Sequence, residues 1–166
     1  MTPLSAVALV FAVGLSFAYE VTKRPVPWWA MVLPLVGQCV LAFSQGGVGD
    51  LETGFTAAAL GAAACGATWA LMKWLGRLEW ADVGLMSVAG ASFALSNAPA
   101  VLMFVSIAGA LQAVATTLLS GDLKARLQKA PESVPRPVGR KIPYAVAVAV
   151  GSAATWWWLA STPVVD

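Results

Sequence analysis

Two carboxylates are the residues of this chain best placed to do chemistry. Asp82 stands in Leu78-Glu79-Trp80-Ala81-Asp82-Val83-Gly84-Leu85-Met86, at the mouth of an apolar run that continues to about Leu95. Glu20 closes the first apolar run of the chain. An ionisable group at or inside a membrane helix is costly, which makes it a functional-site candidate by default. Two carboxyl groups held close together cannot both ionise easily, so they come to share one proton. The ionised one can then activate a water as general base, and the protonated one can donate to a carbonyl. That is the chemistry of an aspartic protease, and it needs neither histidine nor metal. Spacing alone favours a plainer reading, in which Glu20 and Asp82 are interfacial charges paired with Lys23 and Arg77.

The elements that would position these acids are membrane helices. The chain has 166 residues, 59% of them hydrophobic and 11% charged. A soluble domain carries about 25% charged residues. The apolar residues come in runs, most of them approaching the ~20 residues needed to cross a bilayer. The length allows one compact bundle and no extra soluble domain. The absence of histidine removes the commonest general base and a common metal ligand. Cys39 and Cys65 lie isolated inside apolar runs and read as small packing residues rather than a disulfide or a metal site. No metal and no other cofactor is expected.

Six runs are expected to form helices, at about 3–19, 28–43, 54–75, 83–96, 100–119 and 143–160. No Lys or Arg precedes the first run, so it reads as a membrane helix rather than a signal peptide. Pro25 and Pro27 stop a helix from continuing through the first link. Trp28 and Trp29 fit the headgroup level, where amphipathic rings collect. Residues 44–53 form a Gly-rich loop with Asp50 and Glu52. In the third run Gly54, Ala58, Ala62 and Gly66 recur every four residues, a spacing that lets helices approach closely in lipid. Asn97-Ala98-Pro99 is expected to turn the chain between the fourth and fifth runs. Residues 121–141 form a polar loop with Pro131, Pro135 and Pro137, expected to be exposed.

Six crossings place alternate loops on opposite sides. The first, third and fifth links hold Lys23, Arg24, Lys73, Arg77, Lys124, Arg126, Lys129, Arg136, Arg140 and Lys141, which is all 10 of the basic residues. Basic loops stay cytoplasmic, so both termini should face outward. The expected class is therefore all-α: a polytopic membrane bundle of six transmembrane helices, both termini outside, forming a single membrane-embedded domain with a cytoplasmic loop at 121–141. Glu20 and Asp82 then fall at the cytoplasmic face, and Asp50 and Glu52 at the opposite one.

The order of features resembles the type IV prepilin peptidases, the six-helix GxGD-type intramembrane aspartic proteases. In that family a first helix ends in an Asp, followed by a basic stretch, Ile-Pro-Asn and a second helix. Tyr19-Glu20-Val21-Thr22-Lys23-Arg24-Pro25-Val26-Pro27-Trp28-Trp29 is similar, with Glu20 where the Asp would be. The family's Gly-x-Gly-Asp-Val-Lys-Leu signature resembles Glu79-Trp80-Ala81-Asp82-Val83-Gly84-Leu85. Lys141-Ile142-Pro143-Tyr144 is similar to the start of the family's last helix. The resemblance covers essentially the whole chain. It departs at Glu20, which adds a methylene, at Glu79 and Ala81 in place of the motif glycines, and at Gly84 in place of the lysine. The cysteine-rich insert of the larger members is missing, so neither a zinc site nor N-methylation is expected. Gly47-Val48-Gly49-Asp50 matches GxGD literally, but Asp50 falls on the outer face and its following run lacks the rest of the signature.

The resemblance implies a membrane endopeptidase that removes the short basic leader of type IV prepilin-like precursors at the cytoplasmic face. Glu20 and Asp82 would be its catalytic residues. Its partners would be those precursors and membrane lipids, with no nucleic acid, and its place the bacterial inner membrane. A second reading keeps the fold and loses the chemistry: a degenerate peptidase-like protein that binds pilin subunits. A third is a small proton- or cation-coupled transporter, for which the chain offers no paired half-repeat with broken helices.

Overall fold

A computed structural model of the chain describes residues 3–22, 25–49, 54–74, 79–119 and 144–162. Asp50, Glu52, the 121–141 loop and every Lys and Arg except Lys73 lie outside the described residues. Five helices account for most of what is described: α1 (Pro3–Val21), α2 (Trp29–Gly46), α3 (Phe55–Trp74), α4 (Trp80–Leu119) and α5 (Tyr144–Ser161). There is no strand among the described residues. Helices α1 to α4 are each long and apolar enough to cross a membrane, and the chain is read as a membrane protein on that ground.

α4 touches every other helix and is the centre of the bundle. α5, α1, α2 and α3 surround it, each next to its neighbour in that order, except that α3 and α5 make no backbone approach. The buried set is rich in small residues, beside larger ones such as Leu85, Met86, Phe93 and Val101. Ala12, Ala30, Ala57, Ala58, Ala89, Ala98, Ala145 and Ala147 are buried, whereas Val10, Phe11, Leu33, Val40, Leu111 and Trp157 are exposed. Helix association in lipid gains nothing from hiding large apolar groups, which tails solvate as well as a core does. It gains from close backbone approach, which small residues permit.

The closest approach is between α3 and α4. A Cβ at Gly61 would lie 2.8 Å from the Ala94 carbonyl carbon, and one at Gly90 would lie 2.7 Å from the Gly61 carbonyl carbon. The two backbones are therefore in contact with no side chain between them. The small-residue face expected on the third run is the one buried here: Ala57, Ala58, Gly61, Ala62, Cys65, Gly66 and Trp69. α5 makes a similar approach to α4, since a Cβ at Gly151 would lie 2.5 Å from the Val105 Cα.

The expected turn at Asn97–Pro99 is placed elsewhere. Helical structure runs through those residues, and the interruption falls at Ala94, with φ 64° and ψ 173°. Pro99 has no N–H and crowds the carbonyl four residues earlier, which disfavours a helix continuing unbroken into Leu95. The break takes the residue just before that point, where α4 lies against Gly61. α4 is thereby divided into two arms, 80–93 and 95–119. Unbroken, its 40 residues would extend about 60 Å at 1.5 Å each, twice the hydrocarbon thickness.

Gln38 ties three helices inside the bundle. Its side-chain nitrogen donates to the Ser5 carbonyl at 2.7 Å and to Ser92 Oγ at 2.7 Å. Ser92 Oγ in turn donates to the Val88 carbonyl at 2.8 Å. A buried amide in hydrocarbon must find partners, and these fix α1 and α2 against the first arm of α4 near its break.

Candidate functional site

Glu20 and Asp82 come to the same end of the bundle. Glu20 lies in the last turn of α1, half-buried, and Asp82 in the first turn of α4, also half-buried. The charges of Asp82 and Glu79 both act on Glu20. Two remote parts of the chain thus place their acids within electrostatic reach of each other.

Helix ends position each group. Asp82 Oδ2 accepts the Glu79 backbone N–H at 2.8 Å. Glu79 precedes the first helical residue, so this is the reach-back half of a capping box, satisfying a donor left over at the helix start. The negative charge also suits the N-terminal end of the helix dipole. Glu20 meets the start of α5: its Oε1 accepts the Ala145 backbone N–H at 3.4 Å, long for such a bond, and the Tyr144 N–H adds to the same interaction. Its other oxygen, Oε2, is buried without a hydrogen-bond partner among the described residues.

Packing fixes the ends that carry these acids. Met31 of α2 lies over Gly84, where a Cβ would come within 2.7 Å of its Cγ. Ser16 Oγ of α1 points at the Met31 sulfur at 3.8 Å. α1, α2 and α4 are pinned together in this way about one turn below the carboxylates. A larger residue at position 84 would collide with Met31, which gives Gly84 a structural reason. Lys73 of α3 sits over the Trp80 ring, 5.9 Å from its centroid, and ties the end of α3 to the start of α4.

Two further polar groups belong to this end and were not read from the sequence as chemistry. Trp69 is buried, and its ring lies 5.9 Å from that of Tyr144. Its indole N–H faces the Tyr144 hydroxyl without closing a hydrogen bond. The Tyr144 hydroxyl is also buried without a partner among the described residues, and the charge of Asp82 reaches it. The sequence offered one signal: Tyr144 follows Pro143 directly at the start of the last run. Trp69 offered none, standing inside a run that reads as packing.

An apolar groove of about 430 Å³ between α1 and α5 lies toward the other end of the bundle, with Leu9, Val13, Phe93, Ser152 and Trp156 in its lining. It contains neither carboxylate. Exposed tryptophans mark both ends: Trp28, Trp74 and Trp80 near the acids, Trp156 and Trp157 at the far end. Amphipathic rings collect at such levels in a membrane. The chain matches no protein-family model, no curated protein and no solved structure.

Proposed function

We propose that this protein is a membrane aspartic endopeptidase of the prepilin peptidase kind, cutting the basic leader from type IV prepilin-like precursors at the cytoplasmic face of the bacterial inner membrane. The observation that carries this reading is that Glu20 and Asp82 lie at one end of the bundle within reach of each other's charge, each held by a helix terminus. In the proposed reaction the pair shares one proton. The ionised carboxylate takes a proton from a water, which attacks the peptide carbonyl. The protonated one donates to the carbonyl oxygen, and the amine then leaves with a proton returned by the pair.

The membrane arrangement belongs to the same proposal. The two arms of α4 serve as separate crossings, and with α1, α2, α3 and α5 they make six. Both chain ends then face outward, and the basic links face the cytoplasm. In cells, Asp82→Asn is expected to leave the precursor at full length. Unchanged processing would reject the assignment.

One observation favours the pseudoenzyme reading instead. Asp82 already serves as a helix cap through the Glu79 N–H, which a purely structural acid would also do. A pseudoenzyme would bind a precursor peptide in vesicles without cutting it.

A further inference from the structure

Four polar groups converge at the carboxylate end, and two of them have no assigned task. Glu20 Oε2, the Tyr144 hydroxyl and the Trp69 indole nitrogen are each buried without a hydrogen-bond partner among the described residues. Buried polar atoms are nearly always satisfied, so Glu20 Oε2 and a tyrosine–tryptophan pair whose polar atoms face each other without closing a bond need an explanation. Leaving a buried donor or acceptor unpaired costs stability, and such a cost is commonly carried where a ligand supplies the missing partner.

The chemistry of the orphans is complementary. Glu20 and Asp82 are acids that can hold a water. Tyr144 and Trp69 bring neutral donors, one O–H and one N–H. A tetrahedral intermediate at a peptide carbonyl develops negative charge on oxygen, and a fixed neutral donor in a dry site is what stabilises it. Trp69 is 7% exposed, so its indole cannot turn to water instead. Its N–H faces the tyrosine oxygen, and its ring lies 5.9 Å from the tyrosine ring. Closed on substrate binding, that N–H would donate to the tyrosine oxygen and make the tyrosine O–H a stronger donor in turn.

Resting on the peptidase reading above, we propose that Tyr144 is a catalytic residue whose hydroxyl donates to the carbonyl oxygen of the bond being cut, and that Trp69 is a positioning residue that aims and strengthens that hydroxyl. No proton need leave the tyrosine. The hydroxyl shares its hydrogen with the carbonyl oxygen as the carbon–oxygen double bond becomes single, and regains it fully when the amine departs. The site then divides its labour: Glu20 and Asp82 move protons, and the tyrosine steadies the carbonyl oxygen as the protonated acid delivers its own.

The test uses the full chain in lipid vesicles and a synthetic peptide with a basic leader joined to an apolar stretch. Mass spectrometry identifies the bond cut. Tyr144→Phe removes only the hydroxyl and is expected to lower kcat about 100-fold with KM little changed. Trp69→Phe keeps a ring and is expected to cost less. The double variant is expected to be no worse than Tyr144→Phe alone, because the tryptophan acts only through the tyrosine. A second readout does not need turnover. In the Asp82→Asn background, a peptide carrying carbon-13 at the scissile carbonyl should absorb at lower wavenumber when bound, and Tyr144→Phe should reverse that shift. Wild-type kcat in Tyr144→Phe, with cutting still abolished by Asp82→Asn, overturns the tyrosine proposal and leaves the peptidase reading standing. Additive losses in the double variant overturn the role given to Trp69. A wild-type protein that cuts nothing overturns both the peptidase reading and the proposal built on it.

Discussion

Glu20, in the last turn of α1, accepts a backbone N–H from Ala145, the second residue of α5, across 125 positions of sequence. The first and last helices of the bundle are thereby joined at the end where Asp82 begins α4. Polar contacts between helices stand out here because each described helix is apolar over most of its surface. The positions of Glu20, Asp82, Tyr144 and Trp69 are set by backbone contacts deeper in the bundle. Those contacts give the first predictions.

Gly61→Ala and Gly90→Ala should each destabilise the protein. The added methyl would meet the backbone of the facing helix rather than a movable side chain. Overpacking of this kind costs about 1–3 kcal/mol, so the midpoint of thermal unfolding in detergent should fall by several degrees. Gly14→Ala is the control, since nothing lies within 4 Å of a Cβ there. Equal midpoints for Gly61→Ala and Gly14→Ala would refute the direct backbone contact.

Ala94→Gly should stabilise the fold. At φ 64° and ψ 173° Ala94 occupies a conformation open mainly to glycine. Relief of that strain, less the extra freedom of glycine in the unfolded chain, should leave a gain of about 1 kcal/mol. Ala94→Val should move the unfolding midpoint the opposite way. If both substitutions lowered it alike, the strained break would not be present in the protein.

Gln38→Leu should weaken the joint between α1, α2 and the first arm of α4. Interhelical hydrogen bonds in membranes contribute about 0.6 kcal/mol each, and up to about 1.7. Gln38 makes two, so a loss of about 1–2 kcal/mol is expected. Ser92→Ala made in the Gln38→Leu background should cost less than in wild type. Strict additivity would show that the pair is not coupled.

Sidedness can be read chemically. Thr22 and Gly49 are both exposed, at opposite ends of the first two helices. With Cys39 and Cys65 replaced by Ala, a cysteine at position 49 should react in whole cells with a maleimide that cannot cross the inner membrane. A cysteine at position 22 should react only after lysis. The reverse pattern would invert the orientation, and with it the cytoplasmic placement of Glu20 and Asp82.

How much of this was legible in the sequence depends on which interaction fixes each feature. The helical class and the buried small-residue face of α3 follow from local composition and a spacing of four, and both are observed. The common end for Glu20 and Asp82 followed from alternating links, because a helix spanning a bilayer delivers its two ends to opposite sides. The break in α4 was misplaced. Asn97-Ala98-Pro99 carries the usual chemistry of a turn, whereas the break falls at Ala94, where α4 lies against Gly61 of a distant helix, a placement no local rule contains. Trp69 was illegible, and the role of Tyr144 nearly so, for a similar reason. An aromatic in an apolar run reads as packing until its polar atom is found buried and unpaired.

The central claim is that Glu20 and Asp82 act as one acid–base pair on a peptide bond. Its most direct test is cleavage of a basic-leader precursor peptide by the purified protein in lipid vesicles, comparing Glu20→Gln, Asp82→Asn and the double variant. Each single change should slow cutting by about 1,000-fold or more, and the double variant should be no slower than either, as expected of groups that work as a unit. Cutting at the wild-type rate by either single variant would contradict the account.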